Sequence, residues 1–444
     1  MRDLRKQALL ESGKTTSRKA RGKALGTPSP ASSRPTSRGN SRVGSRAGSR
    51  NVSDDEEEFS DTTEWSINSI DELIAATPDD DEPAEGWSVA LGLRIDDICN
   101  GKKNNLQRRE ELLQHFNLDL ERHFAWEEIK PRVDDLLPTL LKSVRNGTTE
   151  RETVLALKAL ALMLITSPSD HIYDAVSGEM KSMIKHASHP MAKMAAIHAL
   201  SIVTFYSGVT TDETENVMDF LLDIAATDGN SIDEADNGDV VVSALEEWGF
   251  LASQLDDLEG ITETAMETFV DQLDSTDIGV QIAAGDNIAL LFEKSYTEAE
   301  SGEDGSDDSD GEEITNGSRK IKRYTVYRQQ HQLEKTLSEL AKASTKRMSR
   351  KDRKNLHLSF RDIQSTVEKP TRGPRYNSAL DIDGREYGYR LKISIGDGER
   401  LVIDKWWKLH RLNALKRLLQ GGLLEHFEKN EVVANSIENE FQDE

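Results

Sequence analysis

Four segments, VLALKAL, MAAIHAL, VSALEEW and IAAGDNI, align on a small residue at Ala156, Ala196, Ala244 and Ala284, at intervals of 40, 48 and 40 residues. Two positions before each alanine stand Val154, Met194, Val242 and Ile282. Four after stand Leu160, Leu200, Trp248 and Ile288, and six after stand Leu162, Ile202, Phe250 and Leu290. Two after, the residue is polar each time: Lys158, His198, Glu246 and Asp286. A repeat near 40 residues with helical apolar spacing is the pattern of armadillo and HEAT helix pairs, each of which buries its apolar stripe only against its neighbours. The alanines suit close helix approach. The longer interval contains TDGNSIDEADNG (Thr227–Gly238), whose turn residues account for the surplus. The expected fold is therefore all-α, an armadillo/HEAT-like α-solenoid presenting an extended surface to a macromolecule. An irregular helical bundle is the alternative for the same texture.

Around that block the composition divides the chain. Of its 444 residues 36% are hydrophobic and 31% charged, with a net charge of −24, a balance expected of a folded core with long disordered attachments. Residues 1–50 form a basic Ser/Arg-rich tail with 13 Lys/Arg against Asp3 and Glu11. Its serines permit phosphorylation, and contact with nucleic acid is the functional alternative to a solvated tail. Residues 51–89 are an acidic linker, with 14 acids and no base between Asp54 and Glu85. EWSINSIDELIAA (Glu64–Ala76) has the spacing of a short docking helix, and the acidic tract SDDEEE is a candidate to fold back on a basic segment. The helical repeats are expected over 90–296, with no strand alternation before residue 385. A second acidic linker, 297–318, contains nine acids and no base between Glu298 and Glu313.

The segment 319–368 reverses the charge. Arg319 to Lys354 hold 13 Lys/Arg against Glu334, Glu339 and Asp352. A helix is expected over Tyr327–Met348, with an apolar stripe of Leu333, Leu337 and Leu340 and cations clustered at both ends. Polyanion binding, nuclear import and a solvated helix face all accommodate this density. For the first, the anion would most simply be an RNA or DNA backbone, since phosphate contacts need cations but no base-reading geometry. The candidate nucleic-acid-binding residues are Arg319, Lys320, Lys322, Arg323, Arg328, Lys346, Arg347, Arg350, Lys351, Arg353 and Lys354. Tyr324, Tyr327 and His331 are candidates to stack on an unpaired base.

Residues 369–430 are expected as a small, mostly helical C-terminal domain, and 431–444 as an acidic tail. YRLKISIGDGERLVI alternates around GDG and predicts a β-hairpin. DKWWKLHRLNALKRLLQGG predicts a helix with Asp404 as N-cap and a stop at Gly421-Gly422. Its tryptophans, Trp406 and Trp407, are expected in the core, and Lys405, Lys408, Arg411, Lys416 and Arg417 as a second cationic surface.

Chemistry is sparse. No phosphate-binding glycine loop, dinucleotide fingerprint, zinc-protease helix or nucleophile elbow is present. His186 and His189 stand three apart without an evident third ligand, and a lone Cys99 permits neither an internal disulfide nor a cysteine zinc site. The longest apolar run, Val154–Ile165, is too short for a bilayer and contains Lys158. With no apolar leader at the N-terminus, the reading is a soluble protein of cytoplasm, nucleus or both, with no enzyme activity, cofactor, metal, membrane partner or small-molecule substrate.

Four strings resemble the interferon-related developmental regulator family: LLKSVRNGTTERETVLALKALALMLI (140–165), VQIAAGDNIALLFE (280–293), RKDRKNLHLSFRDI (350–363) and DKWWKLHRLNALKRLLQGGLLEHF (404–427). The resemblance spans roughly residues 90–430. It implies a non-enzymatic regulator with an armadillo-like domain, acting in transcriptional co-regulation or by occupying idle ribosomes and blocking translation. Ribosomes or RNA, and regulatory proteins on the solenoid surface, are the partners expected. An import adaptor of the armadillo kind is a distant third reading, since only Trp248 stands at a repeated position.

Overall fold

A computed structural model describes residues 86–100, 105–299, 312–315, 318–343, 350–376, 391–395 and 399–438. The solenoid expected from the repeat is present. Its helices alternate between first and second members of successive pairs: α1 (Gly86–Asn100) with α2 (Leu106–Arg122), α3 (Val133–Asn146) with α4 (Glu150–Thr166), α5 (Asp170–His186) with α6 (Pro190–Tyr206), α7 (Thr211–Ala226) with α8 (Gly238–Ala252), and α9 (Glu259–Gln272) with α10 (Ile278–Lys294). The second helices pack on one another in the order α2, α4, α6, α8, α10. The four aligned alanines sit in this row, all with 0% exposure.

Burial follows the layering. α4, α6, α8 and α10 touch neighbours on both sides as well as their own partner, and they are apolar nearly all round. The first helices α3, α5 and α7 bury a single stripe and leave the other face in water. Side-chain N-caps start the successive helices. Asn105 accepts from the Arg108 N–H, Thr149 from Glu152, Asn237 from Val240 and Asp277 from Val280, while Thr210 and Glu213 close a capping box. The surplus residues of the long interval form a loop over 227–237, in which Asp228, Gly229, Asp233 and Asp236 adopt positive φ. The buried Lys193 reaches into it, donating to the Ile232 carbonyl and pairing with Glu234 at 3.4 Å.

The repeats continue beyond residue 296. α11 (Gln330–Leu340) and α12 (Arg350–Glu368) form a sixth pair, and α12 lies on α10 as the next member of the row of second helices. Gly285 allows this approach: a Cβ there would meet Ile363 Cδ1 at 2.6 Å. Leu333 and Leu337 of the expected stripe are buried, as are Leu356, Phe360, Ile363 and Val367 of α12. The basic segment is thus docked along its helices on the fifth pair, where the sequence reading has it tethered by a linker.

Two further expectations are corrected. Strands do occur before residue 385. β1 (Tyr296–Glu298), β2 (Glu312–Thr315) and β3 (Ser318–Lys322) form an antiparallel sheet in the order β1-β3-β2, so the first basic cluster is a strand between two acidic ones rather than the flank of a helix. Glu298 and Glu313 both stand opposite Lys320 in the register. The hairpin β4 (Leu391–Ile395) and β5 (Glu399–Ile403) forms as expected. It is followed by α13 (Trp406–Leu419), α14 (Leu423–Lys429) and α15 (Glu431–Glu438). α15 occupies the start of the expected acidic tail; it buries Val433, Ser436 and Ile437, the apolar spacing outweighing the acids. Residues 1–85, with the candidate docking helix, lie outside the described residues.

The C-terminal helices lie across the row of second helices. α13 packs on α8, α10 and α4, and α14 on α2. Gly249 in α8 makes room for them, since a Cβ there would stand 2.4 Å from the His410 ring and 2.2 Å from Asn287 Oδ1. Gly92, in the middle of α1, has nothing within 4 Å of a Cβ. Gly249→Ala is therefore predicted to destabilise the protein by about 1–3 kcal/mol through overpacking. Gly92→Ala is predicted to stabilise it by about 0.5–1 kcal/mol. Urea denaturation of the two variants against the parent measures both signs.

Candidate functional site

Two features carry charge in an organised way: the seam beneath α13, and the basic sixth pair. The seam is built on the repeated polar position. Lys158 pairs with Glu121 at 2.6 Å, both nearly buried. His198 Nδ1 lies 2.7 Å from Glu247 Oε1. Glu246 accepts from Arg417 of α13 at 2.9 Å, and Glu247 from the same guanidinium at 2.6 Å. The position that repeats in sequence is thus one line on the face that α13 covers. Its residues are polar because they meet polar partners: Lys158 and His198 meet carboxylates, and Glu246 meets the Arg417 guanidinium.

Burial would push the Glu247 carboxyl up, but Arg417 and His198 hold it below the usual carboxylate range. Asp286 has no such compensation: burial raises it well above the ordinary aspartate value, with Glu246 and Asp362 adding to the effect. Burial also lifts Asp362 to about 6, although it accepts the Arg375 backbone N–H at 2.9 Å. His410 lies against the backbone of Asp286, and burial pushes it down to about 4.

The start of α13 is held by an acid from another repeat. Glu293, near the end of α10, accepts the backbone N–H groups of Trp406 at 3.0 Å and Trp407 at 3.2 Å. This carboxylate sits at the positive end of the helix dipole and takes the role expected of Asp404. Trp406 and Trp407 are in the core as expected, and the Trp406 indole donates to Thr366 Oγ1 of α12 at 2.8 Å. The expected second cationic surface is corrected: Arg411 is fully buried, Lys416 is 3% exposed and Arg417 lies in the seam. Arg411 donates to the carbonyl of Ser253 at the end of α8 and to the carbonyl of Ser436 in α15, with its plane 4.5 Å over Trp407. Cations near helix C-termini are favoured electrostatically.

Farther along, the buried His426 faces the Leu120 carbonyl at 2.8 Å, Asn430 donates to the Ile165 carbonyl, and Tyr206 donates to Ser436. At Gly422 a Cβ would collide with the Glu121 carbonyl. Sequence reasoning missed Glu247, Glu293 and the inward direction of Arg411 and Arg417. The available signal was an acid placed within otherwise apolar helical runs, as in LLFEK.

Among the described residues, the candidate phosphate ligands are spread over a strand, the segment that follows it and a helix. Arg319, Lys320 and Lys322 stand on β3, and Arg323 follows it with its guanidinium donating to Thr297 Oγ1 and to the Glu298 carbonyl. Arg328 is exposed and 3.9 Å from Glu263. Arg350 and Lys351 open α12; Arg353 is partly buried in its first turn and Lys354 is exposed. Lys346 and Arg347 lie outside the described residues. Of the candidate stacking rings, Tyr324 is buried, Tyr327 is partly buried and His331 is exposed. Among the described residues no cluster of His, Cys, Asp and Glu has metal-binding geometry, and no helix is long and apolar enough to cross a membrane.

A family model described as interferon-related developmental regulator matches residues 51–368. Its upper bound coincides with the end of α12, so the match takes in the sixth pair with the other repeats. An uncharacterised protein of Schizosaccharomyces pombe is 27% identical over 85% of this chain and 81% of its own length. Interferon-related developmental regulator 1 of Homo sapiens is 22% identical over 74% of this chain and 67% of its own, and that of Sus scrofa is 21% identical over the same shares.

The seam generates two predictions. Arg417→Met leaves Glu247 buried without its guanidinium and is predicted to cost about 3–5 kcal/mol. Arg417→Met with Glu247→Met recovers much of that loss, read as the coupling in a double-mutant cycle of denaturation midpoints. The second concerns pH. Because His410 is shifted down from 6.5 to about 4, its contribution to stability is complete above pH 6.5 and is lost as pH falls toward 4, in total roughly 3 kcal/mol. Asp362 acts oppositely: raised from 3.8 to about 6, its contribution is complete below 3.8 and lost as pH rises through 6. His410→Gln removes only the first effect, so the stability of the parent minus that of the variant is predicted to shrink between pH 7 and pH 5.

Proposed function

We propose, from the premise that this chain belongs to the interferon-related developmental regulator family, that it is a non-enzymatic regulatory protein that associates with ribosomes or RNA and represses or inactivates translation. The observation that supports this reading is the charge reversal at the sixth pair. A chain of net charge −24 concentrates 13 Lys/Arg between Arg319 and Lys354. Of that stretch, β3, α11 and the start of α12 are described, and α12 lies at the end of the row of second helices. A terminal repeat has one face with no following repeat to cover it. Lys322, Arg328, Lys335, Lys342 and Lys354 of this stretch are exposed. Phosphate surfaces are bound by such groups through counterion release, without base-specific geometry. Because the helices are docked rather than tethered, the cations are held in fixed relation to the repeats, which reduces the ordering cost of contact. The acidic repeats oppose adhesion of polyanions elsewhere.

The alternative is a nuclear transcriptional co-regulator that uses the solenoid as a protein-binding scaffold. The two basic clusters, with their spacer, would then serve import.

Sedimentation of cell extract distinguishes the two. Co-migration with ribosomal particles in low salt is expected, abolished by charge reversal at Lys346, Arg347, Arg350, Lys351 and Lys354. With six to ten phosphate contacts, affinity for purified ribosomes is predicted to fall about 10³–10⁵-fold between 50 and 200 mM salt. A protein that stays at the top of the gradient in low salt, including after starvation, overturns the translational reading.

A further inference from the structure

Beneath α13 the seam is incomplete. α4, α6, α8 and α13 leave a cavity of about 450 Å³ between them, within the range of about 300–1,000 Å³ typical of ligand sites. Its lining is periodic. Val154, Met194 and Val242 come from one repeat position, and Lys158, His198 and Glu246 from another, so three successive repeats each contribute an apolar and a polar group. Ala414 and Leu418 of α13 close the far side, and Met191, 45% exposed, stands at the opening.

Neighbouring packed helices lie about 8–10 Å apart. An extended polyproline-II chain completes a turn of three residues in about 9.3 Å. Every third side chain of such a peptide therefore meets the same two positions of the next repeat, a match that a compact ligand does not exploit.

The charge of the occupant follows from the surroundings. Residues 194–293 contain 22 Asp and Glu and no Lys or Arg. The cavity is lined by Asp239, which is exposed, and Glu246, together with two cations already paired, Lys158 with Glu121 and Arg417 with Glu246 and Glu247. Glu247 also lines it and is only 1% exposed, yet its Oε2 has no hydrogen-bond partner. A buried carboxylate oxygen without a donor is costly and marks a place where a donor from a ligand is favoured.

We propose that this cavity is a groove for an extended peptide segment of a partner protein, carrying apolar side chains three residues apart with Lys or Arg between them. The apolar side chains enter the rung of Val154, Met194 and Val242, and the cations meet Asp239 and the second oxygen of Glu247. This groove lies on the face of the second helices beside α13. It is independent of the phosphate-binding reading, which rests on the sixth pair.

The test is methyl NMR on the full-length chain labelled at methionine. It is titrated with a synthetic nonapeptide in which two leucines three residues apart alternate with lysine and proline. Saturable shifts of the Met191 and Met194 methyls are expected. A probe with serine in place of both leucines should bind at least about tenfold more weakly, each apolar anchor contributing through its buried area. Ala195→Trp, which fills the groove, should weaken the leucine probe to a similar degree. If that variant does not fold, the serine probe on the unaltered chain still decides the question. No shift at Met191 and Met194, or equal affinity for the serine probe, overturns the proposal. So does a short RNA that shifts the same two methyls in preference to the peptide.

Discussion

The contact on which the arrangement depends is that between the acids of the central repeats and the cations of α13. α8 and α10 bring Glu246, Glu247 and Glu293 to one face of the helix row, where α13 covers them. Left buried alone, such groups would oppose folding by several kcal/mol each. Arg417 pairs with two of the carboxylates, leaving one oxygen of Glu247 without a donor, and the N-terminus of α13 satisfies the third. The repeats and the C-terminal helices therefore complete one another. The former supply negative charge and a carbonyl-rich helix end at Ser253; the latter supply two buried guanidinium groups. The apolar contacts of Trp406, Trp407, Leu412 and Leu415 contribute area, while the ionic contacts fix where along the row α13 lies.

Much of this fold was legible in the sequence, because a repeat must bury the same positions each time. The alanine register, the apolar positions around it and the surplus in the 227–238 loop all reflect packing between successive neighbours, and local periodicity records that directly. What the sequence did not disclose is long-range. An arginine every few residues on an amphipathic helix looks solvated until a second surface covers it, and the helix of Arg411 and Arg417 is covered by residues more than 150 positions away. The same reasoning explains the sixth pair. Its cations mask a helical apolar stripe that continues the repeat, and Gly285, which allows the docking, reads as a helix weakness in isolation. The candidate phosphate ligands were chosen for charge alone, and charge does not report which strand or helix presents them.

The distribution of charge has an order that matches the architecture. The central repeats are acidic throughout, and the cations gather between Arg319 and Lys354. Between them lies a small sheet in which a basic strand is flanked by two acidic ones. Neutralisation is thus local where the chain turns from one regime to the other. A molecule with this polarity orients in the field of a large polyanion before any specific contact forms.

Stacked helix pairs ordinarily behave as a one-dimensional array, in which an end can fray without disturbing the rest. Here His426 and Asn430 grip the carbonyls of Leu120 and Ile165, sequence separations of 306 and 265 residues. These contacts tie the last helices back to the first two pairs, so that loosening either terminus exposes the middle. During synthesis the closing segment emerges after the repeats, and until it does, the acidic face of the nascent array stands open to whatever cationic species is nearby.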